Sequence, residues 1–242
     1  MAADDTPVHH AIVATHDGVP TLHNERYSQT YGSTGGALTE SRHVFLNGTG
    51  VGERLALGKP TRVLEVGFGT GLNWWTTAQH AHAHGAKLDF VSLEFDPIPT
   101  DVLRSLDLPR LAGCTLPTDA FFSAYADIIA SPAPATHSIA LTPDLVLTLH
   151  IGDALDATLP TDCDAVYLDA FSPDANPELW TVPFGRRLFS ALHPSGRLAT
   201  YSTRRSVRDA LTEAGFIVER RPGPGPPGKR RVLVAQNPKF SG

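Results

Sequence analysis

The 242-residue sequence predicts an α/β fold: a mainly parallel, doubly wound sheet of seven strands with one antiparallel edge strand, and a small N-terminal β-hairpin extension ahead of it. Three observations carry that prediction. From Arg62 onward, short apolar runs alternate with helical patterns, as in β-α-β units with helices on both sheet faces. The first of these runs ends in three closely spaced glycines, VLEVGFGTGLNWW at 63–75, a strand-to-helix junction. The chain closes on two strand-like runs with no helix between them, which places an antiparallel pair at a sheet edge.

The elements follow in order. AIVATHDGVPTLHN (11–24) holds two short apolar segments around Asp17-Gly18, a hairpin signal. YGSTGGALTESRHVFLNG (31–48) reads as a glycine-rich loop and a short helix starting near Thr39. RVLEVG (62–67) is a strand, followed by a helix over about 70–84, and KLDFVSLEFD (87–96) is the next strand. A helix follows Pro99, and an amphipathic one covers about 118–130. SIALTP and DLVLTLHIGD (138–153) read as paired strands around Pro143. DAVYLDAF (164–171) is a buried strand, 177–194 one helix, GRLATYS (196–202) a strand and 207–216 a short helix. FIVER (216–220) and RVLVAQ (231–236) pair across the proline-glycine stretch 222–228. The expected division is an extension over 1–55 and a main domain over 56–242.

Composition narrows the class. Hydrophobic residues make up 41% of the chain and charged residues 19%, which suits a globular protein with a sizeable core. The opening MAADDTPVHH is acidic and no apolar run follows it, so no secretory signal is expected. No stretch approaches the roughly 18–20 apolar residues of a membrane span. Cys114 and Cys163 lie far apart without metal-ligand spacing, and their scarcity fits a reducing cytoplasm. Charge is uneven: residues 1–184 hold 8 Lys/Arg against 22 Asp/Glu, and residues 185–242 hold 12 against 3. Such a basic end suits a polyanion, nucleic acid above all, or forms a solvated face. The run His80-Ala-His82-Ala-His84 puts only His80 and His84 on one helix face, and imidazoles near a helix C-terminus are favourable on dipole grounds alone. No metal is expected.

The glycine loop discriminates between ligands. A dinucleotide fingerprint reads G-x-G-x-x-G, whereas Gly67, Gly69 and Gly71 alternate, the third one residue early. A G-x-x-x-x-G-K-[ST] phosphate loop is absent because no lysine follows. Glu65 stands two positions before Gly67, and a carboxylate there repels a pyrophosphate but suits a ligand bearing an ammonium and a sulfonium. The pattern Glu65-x-Gly67-x-Gly69-x-Gly71 resembles motif I of class I S-adenosylmethionine-dependent methyltransferases, which have a Rossmann-like fold. That resemblance implies S-adenosylmethionine as cofactor, Glu94 accepting from both ribose hydroxyls, and Asp153 with Ala154 at the adenine. Any one carboxylate alone reads as a loop cap. Three at strand ends of a doubly wound sheet, where ligands bind outside the carboxyl edge, read as a site.

LDAFSPDANPELWT (168–181) supplies the second motif. Asp169 ends a buried strand beside the expected sulfonium, and an acid there is costly unless something uses it. Asn176-Pro177 is ordinary helix capping. The string Asp169-x-Phe171-x-Pro173-x-x-Asn176-Pro177-x-x-Trp180 resembles the methyltransferase domain of the tRNA 5-methylaminomethyl-2-thiouridine biosynthesis proteins of MnmC type. ESRHVFLNG (40–48), GFGTGLN (67–73, ending on Asn73), GRLATYST (196–203) and PGKRR (227–231) are similar as well, so the resemblance covers roughly 25–236.

The resemblance implies an N-methyltransferase that converts 5-aminomethyl-(2-thio)uridine to 5-methylaminomethyl-(2-thio)uridine at the wobble position of tRNA. Asp169 would be its catalytic residue, Asn73 would belong to the cofactor loop, and the partner would be an anticodon loop in the cytoplasm. Many members carry a second, flavin-dependent domain; no second fingerprint follows here, so the methyl-transfer half alone is expected. Tyr31, Phe171 and Trp180 are candidates for the base pocket, although Phe and Trp are more often core. Arg204, Arg205, Arg208, Lys229, Arg230 and Arg231 are candidates for phosphate contacts. Two other readings stay open. A methyl- or aminopropyltransferase acting on a small amine would not need the basic end. A non-catalytic RNA-binding protein on this scaffold would not need the set Glu65, Glu94, Asp153 and Asp169.

Overall fold

The computed structural model describes residues 10–131 and 133–238, so the acidic residues 1–9 lie outside it. Strands β1 (His10–Val13), β2 (Thr21–Asn24) and β3 (Gln29–Thr30) form a small antiparallel sheet. β1 and β2 pair from His10↔Asn24 to Val13↔Thr21, with Asp17-Gly18 in the connection as expected and Gly18 at φ 78°. β3 is two residues long, too short to show a period-2 signal. The short helix expected near Thr39 is a composite: α1 (Ala37–Glu40), a π-type turn Ser41–Asn47, and α2 (Val51–Ala56) after Gly50 at φ 84°.

From there strand and helix alternate: β4 (Thr61–Val66), α3 (Leu72–Ala83), β5 (Leu88–Glu94), α4 (Thr100–Ser105), α5 (Leu108–Leu111) and α6 (Asp119–Ile129). β6 (Ala135–Thr142), β7 (Leu145–Ile151) and β8 (Cys163–Leu168) come next, then a 3-10 turn Pro177–Trp180 and α7 (Val182–Ala191). β9 (Leu192–Thr200), α8 (Arg205–Glu213), β10 (Ile217–Pro222) and β11 (Arg231–Gln236) complete the described chain. The single helix expected over 177–194 is therefore divided. Thr181 is extended, and its hydroxyl accepts from the Phe184 N–H, which starts α7 with Pro183 in its first turn.

The main sheet has eight strands in the order β10-β11-β9-β8-β4-β5-β7-β6, one for each strand run read from the sequence after Arg62 and one more than the seven of the expected fold. β9, β8, β4, β5 and β7 run parallel, and antiparallel strands lie at both margins rather than one. The second margin has a simple cause. The turn through Pro143-Asp144 leaves Thr142 opposite Leu145, far too short a connection for a parallel crossover.

Helices cover both faces, so the central strands are buried on both sides. Val63, Leu64 and Val66 of β4 are each at most 1% exposed. On one face Trp74 and Trp75 of α3 pack edge-on to Phe90 and Phe121. On the other, Leu64, Val166 and Leu198 meet Phe184 and Leu188 of α7. Val44, Phe45 and Leu55 share the first core with Val63 and Trp74. Among the described residues no helix is long and apolar enough to cross a membrane. Phe90 touches both Trp74 and Tyr167. Phe90→Ala is expected to lower unfolding free energy by about 3–5 kcal/mol in urea titration.

Candidate active site

The carboxyl ends of the parallel strands open onto a cavity of about 770 Å³. The glycine loop after β4 forms its floor. Gly67, Gly69 and Gly71 have φ of 93°, 51° and 76°, a region costly for residues with a Cβ. A Cβ on Gly67 would lie 2.9 Å from the Asp169 carbonyl oxygen, and one on Gly69 would lie 2.9 Å from the Tyr31 ring. The loop is therefore pressed against both the end of β8 and the N-terminal segment. Gly67 and Gly69 line the cavity together with Thr70, which the motif pattern does not single out. Gly71 is not part of the lining; it is the left-handed N-cap of α3.

The sequence predicts four acids around the ligand, and three line the cavity: Glu94, Asp153 and Asp169. Glu94 ends β5. Its Oε2 accepts from the Gly69 N–H (2.9 Å) and its Oε1 from the Asp96 N–H (2.8 Å), and the Phe95 N–H also bonds to this carboxylate. Asp153 follows β7 beside Ala154, and its Oδ1 accepts from the Leu155 N–H at 2.9 Å. Asp169 follows β8, its Oδ2 accepting from Asn73 Nδ2 at 2.8 Å.

Glu65 is the correction. It is fully buried and does not line the cavity, because its place in β4 points its side chain into the packed sheet layer behind the loop. There Oε1 accepts from Asn73 Nδ2 (2.9 Å) and Oε2 from the Ser92 hydroxyl (2.6 Å). The two N–H groups of one amide thus serve Glu65 and Asp169, while Asn73 Oδ1 accepts from Ser41 at 2.6 Å. Glu65 reaches the cavity through Asn73. Ser92 gives no sequence signal beyond lying in an apolar run, and Ser41 none beyond its place in the ESRHVFLNG segment.

The wall facing the acids is aromatic. Phe171 stacks on Tyr27 with centroids 4.6 Å apart and meets Tyr31 at 5.0 Å, and all three line the cavity. Tyr27 belongs to no motif in the sequence. Trp180, expected in this pocket, is 8% exposed and absent from the lining; its indole N–H donates to the Phe171 carbonyl (3.0 Å), supporting that loop from the core side. The N-terminal sheet is tied down here. Gln29 exchanges two hydrogen bonds with Ser172, and Arg26 pairs with Asp96 at 2.9 Å.

The basic candidates divide. Lys229 turns inward, lines the cavity and pairs with Glu40 at 2.8 Å, so it is not a free phosphate contact. Arg204 is bidentate to Asp174, and Arg205 and Arg208 both pair with Asp209. Arg230 and Arg231 are exposed, as is Arg220 on β10, and none of the three makes an ion pair among the described residues. His80 of α3 and His84 at its C-cap bond to backbone, His80 to the Gly52 carbonyl and His84 to the His80 carbonyl, each at 2.9 Å. The described residues contain no cluster suited to a metal.

Burial raises the acids of the floor. It pushes Glu65 up to about 8 and Glu94 to about 7 from the usual 4.5, although the hydrogen bonds each accepts pull the other way. Asp169 is raised well above the ordinary range, first by burial and then by the charges of Glu40 and Glu65. Below about pH 4.5 the folded and unfolded chains both hold these protons. Between that pH and about 8 the unfolded chain releases protons the folded chain keeps, so stability falls as pH rises. Melting temperature of the cofactor-free protein is therefore expected to decline from pH 5 to 8, and Glu65→Gln is expected to flatten that decline.

The donor set fits S-adenosylmethionine. Gly67 and Gly69 give a backbone floor that a Cβ would obstruct, Glu94 brings an acceptor carboxylate to the cavity at the end of β5, and the acidic lining complements a cationic ligand. Similar proteins agree. Residues 118–238 match the S-adenosyl-L-methionine-dependent methyltransferase family. The chain is 35% identical over 222 residues to the tRNA 5-methylaminomethyl-2-thiouridine biosynthesis bifunctional protein MnmC of Burkholderia multivorans, covering 89% of this chain. It spans about a third of the length of that and similar curated relatives. Among solved structures it resembles MNMC2 from Aquifex aeolicus, with a TM-score of 0.72, 26% identity and coverage of 96% of this chain and 72% of that one. Spermidine synthase from Thermotoga maritima shares the fold, with a TM-score of 0.53 at 13% identity over 97% of this chain and 71% of that one. With half of its length matched by that family, the chain belongs to the S-adenosyl-L-methionine-dependent methyltransferases.

Proposed function

We propose that the protein methylates a tRNA wobble base, converting 5-aminomethyl-(2-thio)uridine to 5-methylaminomethyl-(2-thio)uridine in the cytoplasm. One observation carries the reading: a half-buried strand-end carboxylate, Asp169, faces the cofactor cavity with Oδ2 held by Asn73 and an aromatic wall beside it. The names of the curated relatives support the choice of substrate.

S-adenosylmethionine, when bound, supplies an electrophilic methyl group on a cationic sulfur. Glu94 would hold its ribose, Asp153 and Ala154 its adenine, and Gly67 and Gly69 the remainder. The chain's own residues address the amine. An alkyl amine with a pKa near that of lysine is neutral about once in a thousand at pH 7, a penalty of about 4 kcal/mol. Asp169 attracts the ammonium, orients its nitrogen and accepts its proton at Oδ1, the oxygen that Asn73 leaves free. Holding the freed lone pair at about 3–3.5 Å from its target supplies most of the rate.

The aromatic wall of Tyr27, Tyr31 and Phe171 offers a surface for a base splayed out of an anticodon loop. Arg220, Arg230 and Arg231 remain available for its phosphates, and Arg204 and Arg205 can exchange exposed acidic partners for them.

Mass spectrometry of nucleosides after incubating purified protein with labelled cofactor and aminomethyl-bearing tRNA tests the reading. A labelled methylaminomethyl-uridine is expected, whereas label in small amines alone contradicts it. Asp169→Asn is expected to cut single-turnover methylation by about 100-fold or more while cofactor affinity by calorimetry stays within about twofold. For Arg230→Ala/Arg231→Ala, the slope of log affinity against log salt is expected to become shallower by about 0.7–0.9 for each phosphate no longer neutralised, measured by filter binding.

A further inference from the structure

Asp169 is not the sole charge at this wall. Glu40 ends α1 and Lys229 precedes β11, yet Nζ and Oε2 meet at 2.8 Å, with the Glu40 side chain 7% exposed. Both residues line the same cavity as Asp169. The Lys229 ammonium also stands 3.9 Å from the centre of the Tyr201 ring, and the Tyr201 hydroxyl donates to the carbonyl of Ala170, the residue after Asp169 (2.9 Å). The pair is thus anchored onto the loop that carries the proton acceptor. Glu40 belongs to the ESRH segment and Lys229 to PGKRR, and the proposed reaction gives neither of these two residues another part.

The charged and titratable groups facing Asp169 among the described residues are few. Glu65 lies behind it on β4, Glu40 comes from α1, Lys229 from the loop before β11, and Tyr201 follows β9 with Arg204 beyond it. Lys229 is the cation that favours an ionised Asp169 and disfavours a second ammonium nearby, while Glu40 and Glu65 act in the opposite sense.

We propose that Glu40 and Lys229 are positioning residues that set the proton balance between Asp169 and the substrate amine. This rests on the reading of Asp169 as proton acceptor. The step they govern is balanced: the ammonium N–H bond breaks, its electron pair stays on nitrogen, and the proton forms an O–H bond at Asp169 Oδ1. Lys229 acts on both partners: it keeps Asp169 in the ionised form that can accept a proton while lowering its basicity, and it opposes the ammonium and so eases release of that proton. Glu40 moderates it, and holds the lysine away from Asp169 so that the two do not form a closed ion pair that would exclude the substrate.

Two members of an ion pair that served only to hold α1 to the C-terminal hairpin would fail alike. Members that set a proton balance fail in opposite directions, and this is the test. Lys229→Met, Lys229→Arg and Glu40→Gln are compared by two readouts, with Asp169→Asn as reference. The first is a carbon-13 NMR titration of aspartate-labelled protein without cofactor, the Asp169 signal being assigned by its loss in Asp169→Asn. The second is the pH dependence of single-turnover methylation. Lys229→Met is expected to raise the Asp169 midpoint and move the acid limb of the rate upward by on the order of one pH unit. Glu40→Gln is expected to move both downward, and Lys229→Arg to keep both near the wild type. Shifts in the same direction for Lys229→Met and Glu40→Gln, or none, overturn the inference while leaving Asp169 as acceptor. Asp169→Asn methylating at the wild-type rate overturns the acceptor reading and this inference with it. Should Lys229→Met not fold, Glu40→Gln against Lys229→Arg still decides the sign.

Discussion

The site depends on one side-chain amide. Asn73 spends its two N–H groups on Glu65 and Asp169, the acids ending or following adjacent strands β4 and β8, and its oxygen accepts from Ser41. Two carboxylates this close would repel each other and lose water on burial, and either effect alone opposes ionisation. A shared donor lets both stay near the same floor with their orientations set. The glycine loop, Asp169 and the helical segment that bears Ser41 thereby become one unit. Asn73 can play this part because α3 begins immediately after Gly71, which points the first turn of the helix back over β4.

The N-terminal sheet completes the cavity. Tyr31 presses on Gly69, Gln29 grips Ser172, and Arg26 reaches Asp96 just past Glu94. Three loops at the carboxyl edge are therefore fastened by one small element. An open cleft, usual for a doubly wound sheet, becomes a pocket with an aromatic side and an acidic side. That division suits a substrate with a flat ring and an attached amine. Charge is divided in the same way, with Glu40, Glu94, Asp153 and Asp169 at the cavity and the exposed Arg220, Arg230 and Arg231 on the C-terminal hairpin.

Much of this is legible in local pattern. Alternating glycines after an apolar run, and acids at strand ends, place the backbone floor, Glu94, Asp153 and Asp169 because strand period and loop geometry act over a few residues. What local pattern misses depends on distant partners. The charge of Lys229 is plain in PGKRR, but nothing local says that it turns inward to Glu40, 189 positions away. Phe171 and Trp180 share one motif yet part company. The 3-10 turn at Pro177–Trp180 sends the indole into the core, where its N–H needs a carbonyl, and leaves the phenyl on the cavity. Glu65 reads as a ligand contact in the sequence because its register in β4 against the layer behind the loop is a tertiary fact. The second antiparallel margin is visible as two strands around Pro143, but assigning it to an edge requires the whole sheet order.

The central claim is spatial: the cofactor lies on the glycine floor with its reactive end toward Asp169. A crystal structure with S-adenosylhomocysteine measures it most directly. The account predicts the ribose hydroxyls on Glu94, the adenine beside Asp153 and Ala154, and the sulfur facing Asp169 across open space that continues to Phe171. A ligand bound away from the glycine loop, or a sulfur separated from Asp169 by packed side chains, would contradict it.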